Sequence, residues 1–218
     1  LKEQQKDLMT LGFNLKAADG FKGERTRQAL AEFRALYLPD SGKDLKDADL
    51  DVIIAIYANL ARSDAIRFGI DHGVVAAIRL SSIRTGVDFS YLMKLAATES
   101  NFKPNSKSAT SSATGIYQFT HNTWLNALQK HGAKYGLVAD YTAKIEHYET
   151  VYGYQRPIIR DKLIYQHMLD LRKNPRISAI MAAETVHDNQ QKLASSLNRE
   201  LKQTDLYLTH FLGADAAM

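Results

Sequence analysis

A single carboxylate lies among apolar side chains in the segment 92–118. Glu99 shares one helix face with four apolar residues, namely Leu92, Leu95, Ala96 and Phe102. A carboxylate on a normally buried face is costly unless it is used, and partial desolvation raises its pKa toward neutrality. Such a group is suited to general acid catalysis at neutral pH. The structural alternative is that Glu99 lies at the edge of the stripe and pairs with Lys94 or Lys103.

Hydroxyl-bearing residues follow this helix and lead into a Gly-Ile-Tyr-Gln turn. The stretch from Ser106 to Thr114 contains only Ser, Thr and Ala with one Lys, a composition typical of a flexible linker. Because it is short and separates two strongly patterned segments, an ordered functional loop is an equal alternative. The turn that follows ends in the polar amide of Gln118.

The composition excludes several classes of protein. The 218 residues are 45% hydrophobic and 24% charged, as in a globular protein with one large domain or one domain and a small appendage. No apolar run is long enough to span a bilayer. The lack of cysteine removes disulfides, thiolate zinc sites and cysteine nucleophiles. Phosphate-binding glycine loops and histidine metal motifs are missing, so we expect neither a metal nor a cofactor.

The net charge of +4 is mildly basic. It would favour a polyanionic surface such as cell wall, nucleic acid or lipid, although ordinary solubility is the simpler explanation. No basic run alternates with aromatic residues, so a nucleic-acid partner is not expected. The chain begins at Leu1 without an apolar leader, which predicts that a signal peptide, an anchor or another segment precedes it.

Helical periodicity and capping residues predict an all-α, predominantly helical fold. The segment from Leu137 to Arg172 is interpreted as two helices joined at a break near Gly153 and Pro157, and no strand is predicted. The other predicted helices cover residues 5–11, 24–36, 47–70, 73–84, the Glu99 helix beginning after Asp88 or Ser90, 121–131, a long helix from Pro175 with Asn174 as its N-cap, and 205–212.

Several motifs, in order along the chain, resemble those of a known enzyme family. Glu99-Ser100 is followed by Phe102, Pro104, Ser108 and then Gly115-Ile116-Tyr117-Gln118. This succession resembles the signature of lytic transglycosylases in the goose-type-lysozyme-like superfamily. The resemblance is closer still to a subgroup that includes phage endolysins with an N-terminal peptidoglycan-binding module. It extends over about residues 86 to 213 and rests further on Lys107 to Phe119, Thr123-Trp124, Lys134 to Gly136, Asn174 to Ala179 and Asp205 to Gly213.

The first 42 residues form a small unit of their own in this interpretation. They resemble, more weakly, half of a peptidoglycan-binding repeat, through Leu8, Leu11-Gly12-Phe13, Asp19-Gly20, Gly23, Thr26, Ala29 and Phe33. Phe21-Lys22 departs from the repeat, whose second half is not recognisable. We predict a small helical unit at residues 1–42, with either a wall-binding or a structural role, and a lysozyme-like lytic transglycosylase catalytic domain at residues 43–218.

The resemblance implies cleavage of the β-1,4 bond between N-acetylmuramic acid and N-acetylglucosamine in peptidoglycan, with 1,6-anhydromuramoyl products. The resemblance also implies that Glu99 acts first as the general acid and then as the general base. Ser108 would orient Glu99 or bond near the developing oxocarbenium ion. Tyr207 matches a family position that reaches toward the catalytic glutamate, and Tyr135 is a candidate for stacking on a sugar ring. The sugar cleft would be lined by Gln118 and by the backbone of Gly115, Ile116 and Tyr117.

Two rival functions remain open at this point. A hydrolytic lysozyme would need a second carboxylate to activate water, for which Asp140, Glu146, Glu149 and Glu184 are available. A non-catalytic peptidoglycan-binding scaffold would keep the fold without the reaction. The expected partner is the peptidoglycan glycan strand, and a secretion-system or cell-wall machinery partner is left open. The expected location is periplasmic or associated with the membrane or cell wall, with phage delivery as an alternative.

Overall fold

Eight α-helices and one β-hairpin make up the part of the chain that this computed structural model describes, residues 1–39, 45–137, 144–150, 153 and 155–196. The predicted all-α class is confirmed. None of the helices in these ranges is both long and apolar enough to cross a membrane. The predicted helix at 205–212, with Tyr207, lies outside the described residues.

The helices are α1 (Lys2–Thr10), α2 (Glu24–Tyr37), α3 (Asp47–Phe68), α4 (His72–Thr85), α5 (Phe89–Ser100), α6 (His121–His131), α7 (Lys162–Asp170) and α8 (Pro175–Ser196). Two 3₁₀ turns cover Gly132–Tyr135 and Leu171–Lys173. The strands of the hairpin are β1 (Glu146–Glu149) and β2 (Gln155–Ile158).

Short polar side chains begin the helices near the candidate site. Asp88 accepts a hydrogen bond from a first-turn amide of α5 at 2.8 Å, so Asp88 and not Ser90 is the cap of that helix. Thr120 caps α6 in the same way, and Asn174 accepts from a first-turn amide of α8 at 3.0 Å, as predicted. These side chains satisfy amides that have no acceptor within the helix.

The segment from Leu137 to Arg172 is only partly helical, and the prediction of two helices was wrong for its hairpin. β1 and β2 pair antiparallel, with Pro157 opposite His147. All four side chains of β1 are exposed, so the alternating apolar pattern that marks a half-buried strand is missing from the sequence. A two-stranded hairpin tolerates Pro157 because each strand has an unpaired edge. The later part is helical, as α7 and the 3₁₀ turn after it.

α4 lies at the centre of the core, with α3, α5 and α8 packed around it. Its residues from Val74 to Ile78 are buried without interruption, and so are those from Ile177 to Glu184 on the facing α8. Alanines are frequent on both helices, which lets the two backbones approach closely. We call the packed pair of α4 and α8 the base, because α5, which carries Glu99, packs against α4.

The N-terminal unit packs against this base and shares its hydrophobic core. α1 and α2 contact α4, and Gly12 lies so close to Gly73 that a Cβ on Gly12 would be 3.0 Å from the Gly73 Cα. Arg176 of α8 reaches into the unit. Its guanidinium donates to a Glu32 carboxylate oxygen at 2.9 and 3.0 Å and to the Gly12 carbonyl, and it lies over the Phe13 ring.

Replacing Arg176 with Met should lower the free energy of unfolding by on the order of 3 kcal/mol, because Glu32 and the Gly12 carbonyl lose a largely buried partner. Urea unfolding followed by circular dichroism measures the loss. Lys6→Met is the matched control. Lys6 pairs with Glu3 on the surface, where both side chains are more than half exposed and an ion pair contributes little. Equal losses for the two variants would contradict the buried role of Arg176.

Candidate active site

Glu99 lies in the last turn of α5, at the border between core and surface. Leu92, Leu95 and Ala96 on the same face are buried, whereas Glu99 is half-buried. The predicted apolar face is therefore confirmed for these three residues, with the carboxylate at its open end, whereas Phe102 lies beyond the end of the helix and is half-buried. The helix ends directly afterwards because Asn101 and Phe102 both have positive φ, 50° and 62°. Left-handed residues cannot continue a right-handed helix, so the chain turns away from the carboxylate.

Two hydrogen bonds join α5 to the Gly-Ile-Tyr-Gln turn. The buried hydroxyl of Ser100, next to Glu99 in the chain, donates to the Ile116 carbonyl at 2.8 Å. The Tyr117 hydroxyl donates to the Leu92 carbonyl at 3.2 Å. Burial raises the pKa of the Tyr117 phenol, which therefore stays protonated and keeps donating at neutral pH. The turn is thus fixed relative to the helix that carries Glu99.

Gln118 closes this turn on the start of the Ser/Thr loop. Its Nε2 donates to the Gly115 carbonyl at 2.8 Å and to the Ser106 carbonyl at 3.2 Å. The Gly115 amide donates to the same Ser106 carbonyl at 2.9 Å. Gly115, Ile116 and Tyr117 are buried, while Gln118 is half-buried. Gln118 is therefore the member of the turn that reaches the surface.

The Ser/Thr loop is ordered by its own hydrogen bonds. The Ser108 amide donates to the Ala113 carbonyl at 3.0 Å, and the Ser108 Oγ accepts from the amides of Thr110 and Ser111, each at 3.2 Å. Of the two interpretations of this stretch, the ordered loop is the one found. Half-buried Ser108 borders a groove of about 360 Å³ between the loop and α7. The predicted contact of Ser108 with Glu99 stays a prediction.

Arg172 holds this loop through hydrogen bonds to its backbone, and the sequence did not predict this contact. Its guanidinium donates to the carbonyls of Ser112 at 2.7 Å and Phe119 at 2.9 Å. Its own carbonyl oxygen occupies the place that a Cβ on Gly115 would take. These partners are backbone groups, which every residue type carries, so no pattern of residue types in the sequence indicates the contact.

Gly115→Ala should be much more destabilising than Gly86→Ala. Both glycines have positive φ, 88° and 78°, but Gly86 faces open space whereas Gly115 faces the Arg172 carbonyl. We expect Gly86→Ala to cost about 1 kcal/mol, the conformational penalty alone, and Gly115→Ala several times more. Chemical denaturation of both variants provides the comparison. Equal costs would mean that the turn moves away from Arg172 without loss.

Tyr135 lies inside a buried polar cluster. It is 1% exposed, and its hydroxyl donates to the carboxylate of Glu184 on α8. Burial raises the pKa of the Tyr135 phenol, and the carboxylate beside it adds to the rise. Lys134 donates to the same carboxylate, and the His131 Nδ1 lies 3.6 Å from it. The Tyr135 ring is thus enclosed, and sugar stacking by it stays a prediction.

Glu184 is one of the carboxylates considered for a hydrolytic reaction. Its carboxylate already accepts hydrogen bonds from Lys134 and Tyr135. Burial acts to raise its pKa, but the hydrogen bonds from Lys134 and Tyr135 outweigh burial, so the pKa lies below the ordinary value of 4.5. Of the other candidates, Glu146 and Glu149 are exposed on β1. Asp140 lies outside the described residues.

Glu184→Gln should destabilise the fold at neutral pH by about 2 kcal/mol, because the half-exposed Lys134 ammonium and the buried Tyr135 hydroxyl lose a charged acceptor. A depressed pKa contributes stability above the unfolded value that is lost as the pH falls through the folded value. The difference from wild type should therefore shrink below pH 4.5. Thermal unfolding across pH tests this. Glu146→Gln, in an exposed pair with Arg160, is the control expected to change little at any pH.

The remaining predictions concern Tyr207 and metals. Tyr207 lies outside the described residues, so its predicted approach to Glu99 stays a prediction. Within the described ranges, no group of three or more His, Asp or Glu side chains is arranged to hold a metal ion.

The described residues form a helical fold in which Glu99 lies at the end of the core helix α5 and Gln118 closes a polar loop. The family is given by comparison with known proteins: residues 77–143 match the family model of the transglycosylase SLT domain. Residues 77–143 therefore carry an SLT domain, which indicates a peptidoglycan lytic transglycosylase, and the predicted superfamily and enzyme class are confirmed. The matched stretch contains Glu99, Ser108, Tyr135 and the turn from Gly115 to Gln118. The closer resemblance to the endolysin subgroup stays a prediction.

Proposed function

We propose that Glu99 carries out both proton transfers in cleavage of the β-1,4 bond between N-acetylmuramic acid and N-acetylglucosamine. As a carboxylic acid it protonates the glycosidic oxygen while the bond to the anomeric carbon breaks. As a carboxylate it then accepts the proton of the muramoyl C6 hydroxyl, whose oxygen attacks the same carbon. The product is a 1,6-anhydromuramoyl end, and the enzyme returns to its protonated state.

The observation that carries this proposal is the link between α5 and the Gly-Ile-Tyr-Gln turn. The bond from Ser100 to Ile116 holds the helix end with Glu99 beside a turn whose surface member is Gln118. The carboxyl group of Glu99 is thereby held in a fixed position relative to the side-chain amide of Gln118, which can contact a sugar. Fixed geometry of this kind is what proton transfer in a bound substrate requires.

A reaction with one carboxylate agrees with the surroundings of the other candidates that the structure describes. The nucleophile is part of the substrate, so no second group has to activate water. Glu184 is buried and bonded to Lys134 and Tyr135, and Glu146 is paired with Arg160 on the exposed hairpin. We therefore favour the intramolecular reaction over hydrolysis. Ser108 and Gln118 are proposed to contact the sugar beside the bond that breaks.

Glu99→Gln should lower the rate of glycan cleavage by at least about 100-fold, because the amide neither donates nor accepts the catalytic proton. The measurement is mass spectrometry of muropeptides released from purified peptidoglycan. Glu24→Gln is the control, since its carboxylate lies on the surface of α2 in a pair with Arg27, and it should retain wild-type activity.

Two results would contradict this assignment. Clearance of peptidoglycan by Glu99→Gln at the wild-type rate would exclude Glu99 as the acid. Wild-type products that carry reducing ends, each heavier by one water than the anhydro form, would establish a lysozyme instead. Release of neither product by folded wild-type protein would favour the scaffold.

We also propose that the protein works where peptidoglycan lies, in the periplasm or the cell wall, or at the wall after delivery by a phage. The accessibility of the substrate supports this location. Fractionation of the producing cells tests it, and recovery of the active protein from the cytoplasm alone would contradict it.

A further inference from the structure

Arg172 lies in the 3₁₀ turn after α7 and is almost completely buried, at 5% exposure. Its Nε donates to the Leu169 carbonyl at 2.9 Å, within its own segment. Its Nη1 donates to two carbonyls of another segment, those of Ser112 at 2.7 Å and Phe119 at 2.9 Å. A guanidinium is planar and rigid, so these three bonds fix the positions of the three acceptor carbonyls relative to one another.

The two distant acceptors lie at two separate points of the Ser/Thr loop and the turn after it. Ser112 lies in the loop, four residues beyond Ser108, and Phe119 directly follows Gln118. One buried group therefore holds the segment 106–119 at two points. Ser108 is bonded to the loop's own amides, so its position follows from where the loop is held.

A second set of contacts runs from α7 to the same point of the loop. The Ser112 Oγ accepts from the His121 amide at 3.2 Å, and the His121 Nδ1 is 3.1 Å from the hydroxyl of Tyr165 on α7. The rings of His121 and Tyr165 meet edge to face. The loop is thus held on one side by contacts with α7 and with the 3₁₀ turn after it.

We propose that Arg172 is a positioning residue for the reaction: it fixes the loop that carries Ser108 and Gln118 relative to Glu99. This inference rests on the proposed function of those residues. It also gives the segment from α7 to Lys173 a role, as the support of the cleft loop. Arg172 acts through the loop backbone and does not touch the substrate.

Arg176, four residues further along the chain at the start of α8, provides a matched control. Both arginines are buried and both donate to a backbone carbonyl of another segment, but Arg176 donates to Gly12 and Glu32 of the N-terminal unit instead of the loop. Arg172→Lys and Arg176→Lys should each lower the melting temperature, because one ammonium cannot satisfy the acceptors of a guanidinium fork. Stability by itself therefore does not distinguish the two roles.

Kinetics and loop dynamics distinguish them. With soluble uncrosslinked glycan strands, Arg172→Lys should lower kcat by about 10- to 100-fold with a smaller change in KM, since small displacements of positioned groups cost that much in rate. Hydrogen exchange of the peptide covering 106–119 should become faster in this variant. Arg176→Lys, assayed below its melting temperature, should keep the wild-type kcat and loop protection.

Chemical rescue gives a further readout that a purely structural role would not produce. Arg172→Ala leaves a space of guanidinium shape, so guanidinium at a concentration too low to denature should restore part of kcat, and the same concentration of sodium chloride should not. If Arg172→Ala does not fold, Arg172→Lys carries the test by its kcat and its loop exchange.

The inference is overturned if Arg172→Lys keeps the wild-type kcat, or if its kcat falls while loop exchange stays unchanged. A fall in kcat and loop protection for Arg176→Lys equal to that for Arg172→Lys would also overturn it. Failure of the proposed function is recognised separately. In that case Glu99→Gln stays active, while the comparison of loop exchange between the two arginine variants still tests the support given by Arg172.

Discussion

The candidate site depends on one close approach, that of the Gly115 backbone to the Arg172 carbonyl. A side chain at position 115 would meet that oxygen, and the φ of 88° at this position is one that L-residues avoid. Glycine therefore allows the turn to lie directly on the 3₁₀ segment that precedes α8. The opposite side of the turn is held by Ser100, beside Glu99. The turn thus lies between the end of α5, which carries Glu99, and the 3₁₀ segment that carries Arg172.

The two buried arginines of the described residues are each bonded to at least one backbone carbonyl of a neighbouring segment. Arg172 is bonded to three carbonyls, and Arg176 to one carbonyl and to Glu32. A buried charge without partners would be strongly destabilising, so each arginine ties its segment to one arrangement of its neighbours. Arg172 does this for the loop and Arg176 for the N-terminal unit. Two residues four positions apart thereby connect α8 and the turn before it with the loop and with the N-terminal unit.

The long segment between α6 and α8 also acquires a physical role. The strands of its hairpin are short and β1 is exposed, but Tyr165 of α7 contacts His121, and α7 leads into the turn that carries Arg172. On the other side of α6, Tyr135, Lys134 and His131 converge on Glu184. α6 is therefore held on two sides by polar contacts, in addition to its apolar face.

Part of this account follows from the sequence. The helices from α2 to α6 and α8, the caps Asp88 and Asn174, and the apolar face with Glu99 at its end were predicted, because they depend on neighbours within a few residues. The hairpin was missed because its strands are four residues long and β1 is exposed, so no periodic signal marks them. The Ser/Thr stretch allowed two interpretations, and the contacts of Ser108, Ser112 and Gln118 decided for an ordered loop.

What only the tertiary structure decided is which distant groups meet. The burial of Tyr135 against Glu184, the hold of Arg176 on Glu32 and the support of the loop by Arg172 all join residues about 50 or more positions apart. At Ser112, Phe119 and Gly115 the partners of Arg172 are backbone groups, and a backbone carbonyl has the same chemistry at every position. The sequence by itself thus predicted Glu99 as the candidate acid and determined the elements around it. The packing of α7 and α8 determined what holds the loop with Ser108 and Gln118 in place, because that depends on the path of the chain and not on residue types.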